Sequence, residues 1–207
     1  MAFIKKQRNE PISQDERIRA RDCSGLLVEL SDPNPTARRW AARDLINCPE
    51  AAAALVERLK IEPEVSVREV ILTTLTRLGY PSAVAALTDC LRSDDAALRN
   101  EVIEAMKQLP DEVAHIMCEL LSDTDSDVRI LAVNILESLR HPDVESWLIE
   151  VIENDQHVNV CAAAVDLLGE VGTEAALGPL SQLKARFTDE PYIQFAADLA
   201  LRRIHES

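Results

Sequence analysis

Three stretches of the chain follow one pattern: Asp32-Pro-Asn-Pro-Thr-Ala-Arg38, Glu62-Pro-Glu-Val-Ser-Val-Arg68 and Asp123-Thr-Asp-Ser-Asp-Val-Arg129. In each stretch a short acidic loop leads to a small apolar residue and then to an arginine at the start of an apolar run. A looser copy ends at Arg99, and two more have Cys161 and Gln194 in place of the arginine. These six anchor positions are 30, 31, 30, 32 and 33 residues apart. A fixed period in this range predicts a solenoid of stacked repeats.

Each repeat is predicted to contain two helices, which we call helix A and helix B. Proline precedes the first apolar run of several repeats, where its missing N–H costs little: Pro49, Pro81, Pro110 and Pro142. Helix B is expected to start four residues before the anchor, at Asn34, Glu64, Asp95, Asp125, His157 and Glu190. Its apolar residues recur at anchor −1, +3, +7 and +10, which is one face of a helix. No alternating strand pattern is present, so the sequence predicts an all-α chain.

The pattern resembles the bacterial HEAT-like repeats, including the short form found in phycobilisome lyase subunits, over about residues 24–205. The resemblance implies a right-handed α-solenoid of about six stacked helix pairs. It also implies a ladder of acid–arginine pairs between neighbouring repeats, whose members match at Asp32/Arg38, Glu62/Arg68 and Asp123/Arg129. Since Cys161 and Gln194 replace the arginine, we expect the ladder to weaken toward the C-terminus.

The two ends of the chain depart from the repeat. Residues 1–12 lack periodicity and carry Lys5, Lys6 and Arg8, which predicts a mobile N-terminal arm ahead of a single solenoid over residues 13–207. Ser13-Gln-Asp-Glu16 is a capping box and predicts a first helix from about Gln14. Gly178-Pro179 is expected to break or delay helix A of the last repeat.

Composition restricts the function. The net charge of −14 disfavours general binding to nucleic acids and to anionic membranes. No apolar stretch approaches the roughly 20 residues of a membrane span, and the basic N-terminus lacks the apolar core of a signal peptide. The five cysteines are widely spaced and never form a C-x-x-C pair, so we expect buried free thiols in a reducing cytoplasm.

The sequence predicts no catalytic, cofactor or metal site. The four histidines (115, 141, 157 and 205) include no pair at i, i+4, and with only five glycines the chain has no phosphate-binding loop. The acidic loop Asp123–Asp127 lacks the central glycine and the twelfth-position glutamate of a calcium loop.

These observations favour a binding function. In such solenoids the B helices line the concave side, and anchor +1, +5 and +8 point away from the core. The predicted protein-binding residues on that side are Trp40, Arg43, Glu104, Ile130, Asn134 and Phe195. The sequence therefore predicts a non-enzymatic, cytoplasmic scaffold or adaptor with a protein partner, and leaves its oligomeric state open. The alternative, implied by the resemblance, is a phycobilin lyase subunit or a chromophore-handling chaperone.

Overall fold

The computed structural model describes residues 22–79 and 81–206. Within them the chain forms six helix pairs and no strand, as the repeat predicts. In chain order the pairs are α1 (Cys23–Glu29) and α2 (Pro35–Asp44); α3 (Ala52–Ile61) and α4 (Val65–Leu78); α5 (Pro81–Thr88) and α6 (Ala96–Met106); α7 (Pro110–Ala114) with α8 (Met117–Leu121), and α9 (Ser126–Leu136); α10 (Val144–Asn154) and α11 (Val158–Val171); α12 (Leu177–Arg186) and α13 (Pro191–Glu206). Short 3-10 turns cover Leu45–Asn47, Pro49–Ala51, Asp89–Arg92 and Glu174–Ala176. The predicted arm, its basic residues and the capping box lie outside the described residues.

The core follows the predicted columns of helix B. At anchor +7 the side chains of Leu45, Leu75, Met106, Leu136 and Leu168 are buried, whereas Leu201 in the last repeat is half-buried. At anchor −1 the side chain is buried in every repeat except the first, where Ala37 is half-buried. Within the described residues the first and last repeats have a helix pair on one side only, so their apolar columns are covered less completely.

The helices mostly start where the sequence predicts. The side chains of Asn34, Asp95 and Asp125 cap α2, α6 and α9 by accepting backbone N–H groups. Pro81 and Pro110 begin helices, and Pro49 begins a 3-10 turn, but α10 starts only after Pro142, at Val144. Pro179 lies in the first turn of α12, behind a 3-10 turn, so it delays this helix without breaking it.

The predicted ladder is present at Arg38 and Arg129, each of which binds the loops of two repeats, whereas within the described chain Arg99 binds only the Ser93 carbonyl of its own loop. The Arg38 side chain donates from Nε and Nη2 to the Glu62 carboxylate at 2.8 and 2.7 Å, and from Nη1 to the carbonyl of Asp32 at 2.9 Å. Arg129 does the same with the Asp155 carboxylate (2.7 and 3.1 Å) and the carbonyl of Asp123 (2.8 Å). The arginine therefore pairs with the acid of the next repeat and with a backbone carbonyl of its own loop.

The loop acids also hold the start of helix B. Glu62 accepts the backbone N–H of Glu64 at 3.0 Å, and Asp155 accepts that of His157 at 2.8 Å. In the third repeat Ser93 replaces the loop acid, and Arg68 instead donates to the carboxylates of Asp95 and Glu101 in that repeat. Each acid thus joins the preceding repeat to its own helix B.

The expected weakening of the ladder toward the C-terminus is only partly correct. At Cys161 the missing guanidinium is replaced by that of Arg186 from α12, which donates to the carbonyls of Ile152, Glu153 and Asp155. At the last anchor the Gln194 amide donates to the carbonyls of Lys184 and Phe187, at 2.8 and 3.0 Å. The loop carbonyls need donors whichever residue occupies the anchor, because buried carbonyl groups without a partner are costly.

The prediction of five buried free thiols is wrong for three cysteines. Cys23 and Cys48 form a disulfide between α1 and the end of the first helix pair, and Cys118 is exposed. The helix hairpin brings positions 25 residues apart to a Cα–Cα distance of 5.8 Å, which spacing along the sequence does not reveal. Burial raises the pKa of the Cys90 thiol to about 11 and also raises that of Cys161, so both are unreactive at neutral pH.

Disulfides persist mainly in oxidising compartments, so this bond does not support the predicted cytoplasmic location, which stays a prediction. None of the described helices is both long and apolar enough to span a membrane.

Gly79 ends α4 in the left-handed region, at φ 60°. We expect Gly79→Ala to lower the free energy of unfolding by about 1 kcal/mol, because a Cβ is disfavoured at this φ. Gly178→Ala is the control, since a Cβ there meets no atom within 4 Å and alanine favours the helix. Urea unfolding of both variants is the measurement. Equal losses of unfolding free energy in the two variants would show that the left-handed conformation of Gly79 does not determine the effect.

Glu62 should make stability depend on pH. Burial alone would raise its pKa, but hydrogen bonds from Arg38 and Arg58 outweigh burial and lower the pKa to about 2. Since the unfolded chain binds the proton more tightly, this contribution is present above about pH 4.5 and is lost as the pH falls toward 2. The loss amounts to roughly 3 kcal/mol.

Glu62→Gln should therefore lower stability at pH 7 by roughly 3–5 kcal/mol, because it leaves two guanidinium groups without their carboxylate. The deficit should shrink between pH 5 and pH 2. The control is Glu57→Gln in α3, whose exposed carboxylate pairs with Lys60 and should contribute under about 1 kcal/mol. Urea unfolding across this pH range is the measurement, and a deficit that stays constant with pH would contradict the assignment.

Candidate protein-binding surface

The B helices pack side by side in the order α2, α4, α6, α9, α11 and α13. We call their solvent-facing side the B-helix face. At anchor +5 the side chains of Arg43, Thr73, Glu104, Asn134 and Asp166 are exposed, and Leu199 is half-buried. At anchor +1, Arg39, Glu69, Asn100 and Phe195 are exposed, whereas Ile130 and Ala162 are half-buried. The predicted off-core columns therefore lie mostly on the surface.

A groove of about 390 Å³ runs between α4 and α6. We call it the α4–α6 groove; it is lined by Glu69, Leu72, Thr73, Thr76, Asn100, Glu101, Glu104, Ala105 and Gln108. Two of its acids are paired, Glu101 with Arg68 and Glu104 with Lys107, which lies beside the groove. Its floor is apolar and its walls offer carboxylates, amides and hydroxyls.

A second groove, of about 210 Å³, runs between α9 and α11. This α9–α11 groove is lined by Val133, Asn134, Glu137, Ala163, Asp166, Leu167 and Glu170. The Asp166 carboxylate accepts the Tyr192 hydroxyl at 2.6 Å, which ties α11 to α13. The linings of the two grooves together contain six carboxylates and no lysine or arginine. Because cations beside the α4–α6 groove already pair with two of its acids, the α9–α11 groove attracts positive charge more strongly.

The six predicted binding residues all lie on B helices, but the grooves contain only two of them. Glu104 lines the α4–α6 groove and Asn134 lines the α9–α11 groove. Ile130 packs partly against the core, so it offers less surface than its position in the column predicts.

The remaining three predicted residues mark the ends of the face. On α2 the Arg43 guanidinium lies 4.1 Å from the centre of the half-buried Trp40 ring and also pairs with Asp44. On α13 Phe195 has 62% of its surface exposed, beside a hollow lined by Asp198, Leu201, Arg202, His205 and Glu206. The face is thus cationic and aromatic at one end, acidic in the middle, and mixed in charge with an exposed aromatic ring at the other.

Among the acids and amides of the two grooves, sequence reasoning missed four: Glu101, Gln108, Glu137 and Glu170. Glu137 stands at anchor +8, a position the periodicity had already assigned to solvent. The other three stand at +2 and +9, which border the solvent columns. A search of the columns at +8 and +9 for acids and amides would have found three of the four.

The described residues contain one group of side chains with metal-ligand chemistry. The sulfur atoms of Cys23 and Cys48 and the Glu50 carboxylate lie within 4.8 Å of one another. Because the two sulfurs are joined in a disulfide, they are not thiolate ligands. This group therefore gives no reason to assign a metal site.

The class of protein follows from the helix pairs, their ladder and a sequence comparison. The family model of HEAT repeats matches residues 24–112 and 113–203, and the chain belongs to this family. The curated bilin biosynthesis protein PecE of Nostoc sp. is 31% identical over 146 residues, which cover 68% of this chain and 56% of that protein. The match thus spans little more than half the length of this relative.

Solved structures of repeat proteins also resemble the chain. An archaeal HEAT-like repeats protein from Thermococcus onnurineus is 18% identical with a TM-score of 0.47, and the match covers 89% of this chain and 87% of that one. The complex of CpcE and CpcF of phycocyanin lyase from Nostoc sp. is 16% identical with a TM-score of 0.37, over 97% and 98% of the two chains.

Proposed function

We propose that the chain is a protein-binding scaffold that holds its client on the B-helix face. One observation carries the proposal: the linings of the α4–α6 and α9–α11 grooves hold carboxylates, amides and hydroxyls without a lysine or arginine. Binding residues placed on stacked rigid helices keep fixed positions, which favours recognition of an extended client.

The chemistry of the grooves favours a client segment rich in lysine or arginine. In the α9–α11 groove, Glu137 and Glu170 have no cationic partner among the described residues, and both are exposed. Unpaired carboxylates beside apolar floor residues such as Val133 and Leu167 suit side chains with an aliphatic stem and a charged head. The cationic end at Arg43 would repel such a segment and so orient it along the face.

The proposal is tested by site-specific photo-crosslinking in the native host. A benzophenone amino acid replaces Asn134 on the B-helix face or, as the control, the exposed Glu119 on α8. We expect a discrete adduct with one client from position 134 and none from position 119. Adducts from position 119 alone would place the client on the opposite side of the solenoid and overturn the proposal.

The charge requirement is tested on the purified client. Glu137→Gln with Glu170→Gln should weaken binding roughly fivefold, because each exposed ion pair contributes about 0.2–1 kcal/mol. The control pair Glu119→Gln and Glu153→Gln removes the same two charges from A helices and should leave affinity unchanged. Calorimetric titrations at two salt concentrations provide the measurement, and equal losses in both pairs would show that only net charge matters.

The second candidate function is that of a phycobilin lyase subunit or chromophore-handling chaperone, and the identity with PecE favours it. Such a protein should bind an open-chain tetrapyrrole. Titrating biliverdin into the protein should then produce a saturable change in the visible absorption spectrum at one equivalent. An unchanged spectrum would remove this candidate and leave the scaffold proposal standing.

A further inference from the structure

A cavity larger than either groove lies apart from both of them. It holds about 580 Å³ between the A helices of repeats 4 and 5, and we call it the repeat 4–5 pocket. Its lining comes from α8, α10, the loops that follow them and the first turn of α9: Cys118, Leu121, Ser122, Asp123, Arg129, Trp147, Glu150, Val151, Asn154, Asp155, Gln156 and His157. This volume lies in the range of pockets that bind small molecules.

A break in helix A of repeat 4 accompanies the pocket. This helix is split into α7 and α8 at residues 115–116, and α8 is only five residues long. Because α8 is half as long as α12, it covers less of α10 than α12 does on the other side. The pocket occupies the resulting gap.

The pocket has a rigid aromatic wall. The indole of Trp147 is held by a parallel stack on His141, with ring centres 5.0 Å apart and planes inclined by 13°. Leu121 and Val151 line the pocket from the neighbouring turns of α8 and α10. These three side chains form the apolar part of the lining, against which a flat ring could pack.

Two polar groups of the lining have no hydrogen-bond or ion-pair partner among the described residues. The Nδ1 atom of His157 is buried and has no hydrogen-bond partner among the described residues. The Glu150 carboxylate is exposed and unpaired within the same part of the chain. By contrast, Asp155 is bound by Arg129, and Asp123 by Arg92. The groups left for a ligand are therefore an imidazole nitrogen and a carboxylate.

We propose that the repeat 4–5 pocket binds a small planar aromatic cation, with Glu150 as its counter-ion. Of the three carboxylates in the lining, Asp155 is paired with Arg129 and Asp123 with Arg92, so within the described chain Glu150 is the one left without a cation. The carboxylate of an anionic ligand placed beside Glu150 would be repelled by it. This site is independent of the B-helix face and of the function proposed for it.

Thioflavin T, a planar aromatic cation whose fluorescence rises when its rings are immobilised, is the probe. We expect saturable binding at one equivalent, and Glu150→Gln should weaken it roughly fivefold. The matched control is Glu153→Gln, which removes the same charge from the same helix three residues away but lies outside the pocket. Its affinity should change less than twofold.

A second variant tests the location without altering charge. Leu121→Trp on half-exposed Leu121 should fill the pocket and abolish dye binding, while circular dichroism and melting show that the fold is retained. The anionic dye 8-anilinonaphthalene-1-sulfonate should bind the wild-type protein at least tenfold more weakly than thioflavin T. Equal losses in Glu150→Gln and Glu153→Gln, unchanged binding in folded Leu121→Trp, or equal affinity for both dyes would each overturn the proposal.

Discussion

The bond between a loop carboxylate and the arginine of the preceding repeat is the contact on which the stacking depends. The carboxylate binds both a guanidinium and a backbone N–H at the start of helix B, as Glu62 does with Arg38 and Glu64. One buried group therefore fixes where helix B starts and how far the previous repeat lies from it. This bond joins α2 to the loop before α4 and α9 to the loop before α11, whereas Arg68 joins α4 to α6 through Asp95 and Glu101.

The same requirement explains the last two repeats, where the arginine is absent. Loop carbonyls remain to be satisfied, and Arg186 reaches them from a different helix while Gln194 reaches them from the anchor position. The loop carbonyls thus require hydrogen-bond donors, and more than one residue type can supply them.

The sequence predicted the repeat, the B helices and their buried columns because these follow one period and bury one face. It did not predict the disulfide of Cys23 and Cys48, because proximity of residues 25 apart depends on how two helices turn back on each other. The repeat 4–5 pocket was also missed. The A helices have no recurring anchor comparable to Arg129, so an interruption such as the one at residues 115–116 leaves no mark in the periodicity.

Fold and binding chemistry are specified by different residues in this chain. The core uses anchor −1, +3, +7 and +10, whereas the B-helix face is made from positions such as +1, +5 and +8 that the stacking leaves free. A relative that is 31% identical over 146 residues can therefore share the buried columns and still present a different surface. For this chain the surface itself is informative, since groove linings with six carboxylates and no lysine or arginine give the proposed binding function a preferred charge that membership of the family alone does not indicate.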